Sequence, residues 1–248
     1  MSFANKVVLI TGGSSGIGAT TAIFFAKEGA NVAIVGRNQN KLKKVAEDCS
    51  KIGKTPLVIV AELNKDENIE RIIKETIEKF KKLDVLVNNA GISVTGTITD
   101  GKVLEAYDAI MKVNVRSVIQ LTVLATPYLI KTKGNIVNIS SIAGKKVRSP
   151  AYMAYNVSKA ALDHFTRGAA LELSASGVRV NSVSPGPVKT DFFDNCAMPV
   201  TADSLGDIMA LKRASDPDEI ANLIVYLASD KARGITGSDF VCDNGGLL

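Results

Sequence analysis

The stretch Val7-Val8-Leu9-Ile10-Thr11-Gly12-Gly13-Ser14-Ser15-Gly16-Ile17-Gly18 decides the fold. It begins as a continuous aliphatic run, the pattern of a strand covered on both faces. It ends in spaced glycines and leads into a helical pattern. Gly12 lets the chain turn without a Cβ clash. Gly16 lets the backbone approach a pyrophosphate, and Gly18 lets the next helix pack close to the strand. The N-terminus of that helix offers free N–H groups and partial positive charge to phosphates. The spacing is Thr-Gly-x3-Gly-x-Gly, in the strand–turn–helix setting that a phosphate cradle requires. Thr11, Gly12, Ser14, Ser15, Gly16, Ile17 and Gly18 are therefore the first candidate cofactor-binding residues.

Outward from this turn, short β-branched runs alternate with helical patterns. Val32–Val35, Leu57–Val60, Val85–Val87, Ile136–Ile139 and Val178–Val183 read as further strands. Between them, Ile69, Ile72, Ile73, Ile77 and Phe80 mark one apolar helix face. Asn64 followed by Glu67 predicts a capping box for that helix. Asp216-Pro217-Asp218-Glu219 is a second, stronger helix start. Repeated β-α units imply a parallel sheet with helices on both sides. With neither a repeat nor a linker, the 248 residues are expected to form one domain, 1–248.

The end of the second strand reports on a nucleotide ribose. NAD binders place a carboxylate there. This chain reads Val35-Gly36-Arg37-Asn38, with no acid. A small residue leaves room for a 2′-phosphate, and Arg37 can pair with it and stack on adenine. The expected cofactor is NADP(H).

Tyr155-Asn156-Val157-Ser158-Lys159 places a phenol and an amine on one helix face, four residues apart. A phenol titrates near ~10 and is a poor base at neutral pH. A neighbouring ammonium is expected to lower that value, each unit being ~1.36 kcal/mol. Upstream, Asn135-Ile136-Val137-Asn138-Ile139-Ser140-Ser141 is a strand ending in two serines. Asn88-Asn89-Ala90-Gly91 ends the fourth strand, and Pro185-Gly186-Pro187-Val188-Lys189-Thr190 follows the sixth. Ligands in such sheets lie at the carboxyl ends of the strands, so these segments share one rim.

Together these motifs, from Thr11-Gly12 to Asp243-Asn244-Gly245-Gly246, make the chain resemble a short-chain dehydrogenase/reductase of the compact one-domain kind. The resemblance implies a Rossmann-like, doubly wound α/β fold with a seven-stranded parallel sheet, the seventh strand near Asp239–Cys242. It implies Tyr155 as general acid/base, with Lys159 lowering its pKa and holding the nicotinamide ribose. Ser141 would polarise the substrate carbonyl. Asn114, in Met111-Lys112-Val113-Asn114-Val115, would anchor a proton-relay water. Asn88, Ala90 and Gly91 would shape the adenosine side, with Glu62 and Leu63 near the adenine. Pro185 and Gly186 would flank the nicotinamide, and Val188 and Thr190 would meet its carboxamide. Two departures stand out. Ser141 and Tyr155 are 14 positions apart, one more than usual, and the loop Lys145–Pro150 is expected to absorb the extra residue. Asn244 replaces a frequent glycine.

The expected activity is NADPH-dependent hydride transfer to a ketone. The alternative is a 3-oxoacyl thioester reductase, whose acidic carrier protein would dock on Lys145, Lys146 and Arg148. A catalytically inactive dinucleotide sensor is the non-enzyme alternative. The apolar residues Phe192, Phe193, Met198 and Met209 mark 191–212 as a substrate lid. Cys196 could line the pocket or be a bland thiol, and Tyr152 could touch substrate or pack. Family resemblance also implies a homodimer or homotetramer through helices around 103–130 and 153–175, and the only histidine, His164, reads as packing or interface.

Composition excludes other classes. Hydrophobic residues are 46%, charged residues 22%, and the net charge is +5, which argues against disorder. The lysines at 41, 43, 44, 79, 81 and 82 read as solvated helix faces, so no nucleic-acid partner is expected. No apolar run approaches roughly 20 residues, so no membrane span is expected. Met1–Asn5 leads directly into the first strand, leaving no signal segment. Cys49, Cys196 and Cys242 are scattered and suit a reducing, cytoplasmic setting with no metal site.

Overall fold

The computed structural model describes residues 3–248; the leader reading at Met1 and Ser2 lies outside them. Seven strands alternate with helices. The strands are β1 (Val7–Thr11), β2 (Asn31–Gly36), β3 (Leu57–Val60), β4 (Val85–Asn88), β5 (Asn135–Ile139), β6 (Arg179–Pro185) and β7 (Asp239–Cys242). The helices are α1 (Gly16–Lys27), α2 (Gln39–Ser50), α3 (Asp66–Phe80), α4 (Val103–Met111), α5 (Ser117–Thr132), α6 (Met153–Leu173), α7 (Phe192–Asn195), α8 (Ala202–Gly206) and α9 (Pro217–Ala228). All strand pairs are parallel, in the order β3-β2-β1-β4-β5-β6-β7. The order reverses between β1 and β4, which opens a crevice at their carboxyl ends.

β1 shows why the run at Val7 is apolar throughout. Strand side chains alternate faces. Val8 and Ile10 join a core with Ala22 and Phe25 of α1 and Ile220, Ile224 and Leu227 of α9. Val7 and Leu9 join the opposite core, with Ile69, Ile72 and Ile73 of α3 and Leu121, Ala125 and Leu129 of α5. Each fully buried aliphatic side chain contributes roughly 1.5–3 kcal/mol.

The two predicted helix starts fare differently. At α9, Asp216 is the N-cap and its N–H donates to Glu219 Oε2 at 2.8 Å. Arg213 holds both Glu219 oxygens at 2.7 Å. At α3 the helix begins two residues after Asn64, with Lys65 at the N-cap position and no side-chain cap. Tertiary contacts override the local box there. Asp66 and Glu67 already complement the helix dipole, and Asp66 is bound by Arg116 from the far end of the α4–α5 connection.

α4 and α5 run on through a π-helical turn at Lys112–Arg116. The continuous helix Val103–Thr132 is long and apolar enough, by length and composition, to cross a membrane. Charges interrupt it, so in the sequence it is not one unbroken apolar run. Its buried residues Leu121, Ala125 and Leu129 belong to the sheet core. The residue Asn244 adopts φ +54°, the left-handed conformation that favours glycine and that asparagine tolerates.

The α9 cap generates a pH-dependent stability. The Arg213 guanidinium bonds Glu219 and holds its carboxyl down, to about 2. A lowered carboxylate stabilises the fold above its unfolded value of ~4.3, and this is lost as pH falls towards the folded value. Glu219→Ala is expected to cost about 1 kcal/mol at pH 7, as for other lost caps. In urea unfolding the difference from the parent protein should shrink to near zero at pH ~2.

Candidate active site

The carboxyl ends of the strands surround one cleft of about 830 Å3. At its floor, Thr11 Oγ1 accepts from the N–H groups of Asn89 and Ala90 at 3.0 and 3.1 Å. Asn89 Nδ2 donates back to the carbonyls of Thr11 and Gly12 at 2.9 and 3.2 Å. A Cβ on Gly12 would lie 2.6 Å from Asn89 Nδ2, and one on Gly16 would lie 2.6 Å from Thr190 Cγ2. Both glycines have positive φ, +67° and +52°. The turn is thus a closed cradle, with the N-terminus of α1 facing the cleft and a small-residue approach that fits a dinucleotide phosphate.

Of the residues singled out from sequence, Gly12, Ser14, Ser15, Gly16, Ile17, Arg37, Glu62, Leu63, Ala90, Gly91, Pro185, Gly186, Val188 and Thr190 line this cleft, as do Ser141, Tyr155 and Lys159. Thr11, Gly18, Asn88 and Asn114 are not on its walls. Thr11 and Gly18 support the turn from behind. Asn88 is 2% exposed and donates to Asn138 Oδ1 at 2.9 Å, and Asn138 donates to Thr166 Oγ1 at 2.9 Å. Its neighbour Asn89 faces the cleft instead, because successive residues at the end of β4 point to opposite faces. Strand alternation within Asn88-Asn89 was the signal for this exchange.

Asn114 sits in the π turn and is 1% exposed. Its Oδ1 accepts from Ile92 N–H and its Nδ2 donates to Ile92 O, both at 2.9 Å. Nδ2 also reaches Ser158 Oγ at 3.2 Å. The side chain therefore joins the segment after β4 to α6, one residue before Lys159.

On α6 the four-residue spacing does bring the amine to the phenol. Lys159 Nζ lies 5.6 Å from the Tyr155 ring centroid and donates to Ile139 O at 2.7 Å. The Ser141 hydroxyl lines the same cleft as the phenol and draws the phenol's pKa down. It also accepts from Ala143 N–H at 3.1 Å, capping a 3-10 turn at Ile142–Gly144. A second such turn at Pro150–Tyr152 leads into α6, and Ser141 and Tyr155 both line the cleft.

The electrostatics correct one expectation. Burial pushes the Tyr155 phenol up, to about 12, with Ser141 opposing and Cys196 adding to the rise. Burial pushes the Lys159 ammonium down, to about 8, with Asp163 opposing. Two groups sharing a desolvated cleft each disfavour their charged form. The lysine alone does not overcome this for the phenol.

The segment expected as a lid contains α7 and α8. The Phe192 ring is 5.9 Å from that of Tyr155, and Phe193, Met198, Ile208 and Met209 complete an apolar wall, with Tyr152 opposite. Cys196 is half-buried, and its Sγ accepts from Ser93 N–H at 3.2 Å. His164 is exposed on α6. Lys145 is engaged by Asp163, Asp239 and Ser184. Lys146 and Arg148 donate to carbonyls at Gly246 and Leu248. The basic trio thus bonds the protein's own chain, while Lys146 and Arg148 remain exposed and line the cleft. Among the described residues no cluster of three metal-ligating side chains occurs.

Comparison with known proteins matches this arrangement. Residues 12–246 fit the family model described as enoyl-(acyl carrier protein) reductase. The chain belongs to the short-chain dehydrogenase/reductase family. Over 98% of its length it is 35% identical to glucose 1-dehydrogenase of Gluconobacter oxydans, covering 92% of that protein. Over 99% it is 36% identical to the 3-oxoacyl-[acyl-carrier-protein] reductase FabG of Thermotoga maritima, covering 99%. The crystal structure of a short chain dehydrogenase from Burkholderia cenocepacia in complex with NADP superposes with a TM-score of 0.93. It is 33% identical, with 100% of both chains covered. The chain is accordingly an oxidoreductase of a nicotinamide-dinucleotide-binding family acting on a small molecule.

Asn114→Ala would leave the part-buried N–H and C=O of Ile92 without these partners. At roughly 1–3 kcal/mol per orphaned group, urea unfolding should show a loss of about 2 kcal/mol or more.

Proposed function

We propose that this enzyme is an NADP(H)-dependent carbonyl reductase, interconverting a ketone and a secondary alcohol. The observation that carries the reading is the meeting of Ser141, Tyr155 and Lys159 at one wall of the cleft, opposite the glycine cradle. The turn Gly12–Gly18 and the N-terminus of α1 would hold the pyrophosphate. Arg37, exposed just past Gly36 at the end of β2, would hold the 2′-phosphate. The end of β2 carries no carboxylate, Gly36 being followed by Arg37 and Asn38. Val188 and Thr190 would border the nicotinamide and Lys159 its ribose.

When bound, the reduced nicotinamide supplies the hydride. The chain's own residues handle the oxygen. The Ser141 hydroxyl donates a hydrogen bond to the substrate carbonyl, and the Tyr155 phenol transfers its proton to that oxygen as negative charge develops there. A phenol raised to about 12 keeps its proton through the neutral range, which suits the acid role in reduction. The reverse reaction needs the phenolate, and the positive charges of Lys159 and of the oxidised nicotinamide favour that form. Asn114 holds α6 in register and could order the water that returns a proton. The apolar segment 191–212 closes over the substrate and excludes water.

The thioester reductase remains the second reading, supported by the relationship to the FabG protein. The engagement of Lys145, Lys146 and Arg148 within the chain weighs against a carrier docking there. The presence of every proposed catalytic group weighs against an inactive sensor. Exposed Leu104, Tyr107, Val123 and Leu171 on α4, α5 and α6 support assembly as a homodimer or homotetramer, and three free thiols suit the cytoplasm.

Tyr155→Phe is expected to lower kcat for ketone reduction by ~10²-fold or more, while fluorescence titration shows NADPH binding retained; undiminished turnover would overturn the reading. Arg37→Ala should weaken NADPH about tenfold, the value of one charge-assisted contact, and leave NADH nearly unchanged. Equal losses for the two cofactors would remove the 2′-phosphate assignment.

A further inference from the structure

Behind the proposed catalytic wall lies a second lysine that the mechanism does not use. Lys145 follows directly on the Ser141–Gly144 turn. Its ammonium has three N–H donors, and three oxygens from three elements meet them. These are Asp163 Oδ2 on α6 at 2.7 Å, Asp239 Oδ2 on β7 at 2.9 Å and Ser184 Oγ on β6 at 2.9 Å. Asp239 Oδ1 is in turn held by the hydroxyls of Ser182 and Ser184, at 2.7 and 2.6 Å. The lysine side chain is 26% exposed and the two carboxylates 10% and 12%, so the cluster is largely shielded from solvent. Burial alone would draw the ammonium down, and the two carboxylates outweigh it and hold it above its ordinary value.

The turn it anchors rests directly on α6. A Cβ on Gly144 would lie 2.8 Å from Ala160 N and 2.9 Å from the Lys159 carbonyl carbon. Ser140 Oγ donates to Lys159 O at 3.2 Å. Asp163 lies one helical turn beyond Lys159, on the same face. One of its oxygens is taken by Lys145. The other, Oδ1, is buried without a hydrogen-bond partner among the described residues. Asp163 is also the charge that draws Lys159 upward against burial. One carboxylate therefore serves two lysines, Lys145 by contact and Lys159 through space.

We infer that Lys145 is a positioning residue for the reaction: it pins the Ser141 turn to α6, β6 and β7, and through Asp163 it balances the charge on Lys159. The inference rests on the reading of Ser141, Tyr155 and Lys159 as the reacting groups. The titratable and charged groups recorded against Lys159 are Tyr155, whose ring centroid lies 5.6 Å from Nζ, and Asp163; Lys145 and, through it, Asp239 stand behind Asp163. Lys145→Met removes a positive charge and frees Asp163, so Lys159 should keep its proton to higher pH. Asp163→Asn removes the supporting negative charge, so Lys159 should lose its proton at lower pH. Both variants break the same ion pair, and a purely structural role would move them together.

The test is a lysine 13Cε NMR titration of the cofactor-free protein, with Lys159→Met assigning the resonance, alongside steady-state kinetics of ketone reduction. The expected result is a midpoint displaced in opposite directions by Lys145→Met and Asp163→Asn, each by about half a pH unit or more. Lys145→Met should also lower kcat about tenfold with the ketone KM changed less than about threefold, and Lys145→Arg should keep the parent midpoint. Parallel or absent midpoint shifts would overturn the inference. If Lys145→Met fails to fold, the pair Asp163→Asn and Lys145→Arg decides it, since only the first should move the midpoint. Tyr155→Phe separates the two failures. Undiminished turnover in that variant overturns the catalytic reading, whereas lost turnover there with parallel midpoint shifts overturns the role of Lys145 alone.

Discussion

The hydroxyl of Thr11 joins the ends of β1 and β4 at the point where the sheet order reverses. It accepts two backbone N–H groups, and Asn89 returns two bonds to the carbonyls of the glycine turn. Those contacts convert a gap between diverging strands into a rigid floor. The close approach of Asn89 then admits only glycine at position 12, and that of Thr190 only glycine at position 16. The cradle and the rim opposite it are therefore coupled through backbone geometry rather than through any single strong contact.

Charge is handled by burial rather than avoided by it. The cleft carries a phenol and an ammonium in a space that raises one and lowers the other. The phenol is neutral through the neutral range, and the ammonium, at about 8, still carries most of its charge there but is held less firmly than a solvated lysine, so each responds strongly to added charge nearby. The opposite logic holds on the far side of the Ser141 turn. There Lys145 meets two carboxylates and keeps its charge. A compact ammonium with three directed donors suits this tripod better than a planar guanidinium would.

Much of the architecture was legible in the residue pattern. Every strand expected from its aliphatic run exists, with ends shifted by a residue or two, because a doubly covered strand must be apolar throughout. Asp216 and Glu219 start their helix as read, since the cap is satisfied within four residues. Asn64 and Glu67 do not. Their helix starts at Asp66, which pairs with Arg116, 50 positions away, and a local motif carries no information about such a partner. The partners of the basic trio after Ser141 are illegible for the same reason: its acceptors are in β6, β7, α6 and the C-terminal residues.

The sequence by itself determined the succession of strands and helices along the chain and the facing of Tyr155 and Lys159. Both follow from the backbone's own periodicity and sterics. The tertiary structure decided which of two adjacent asparagines faces the cleft, which carboxylate each lysine meets, and in which direction the phenol titrates. Those outcomes depend on what packs around a group and how much water it excludes, and neither quantity is written in the few residues on either side.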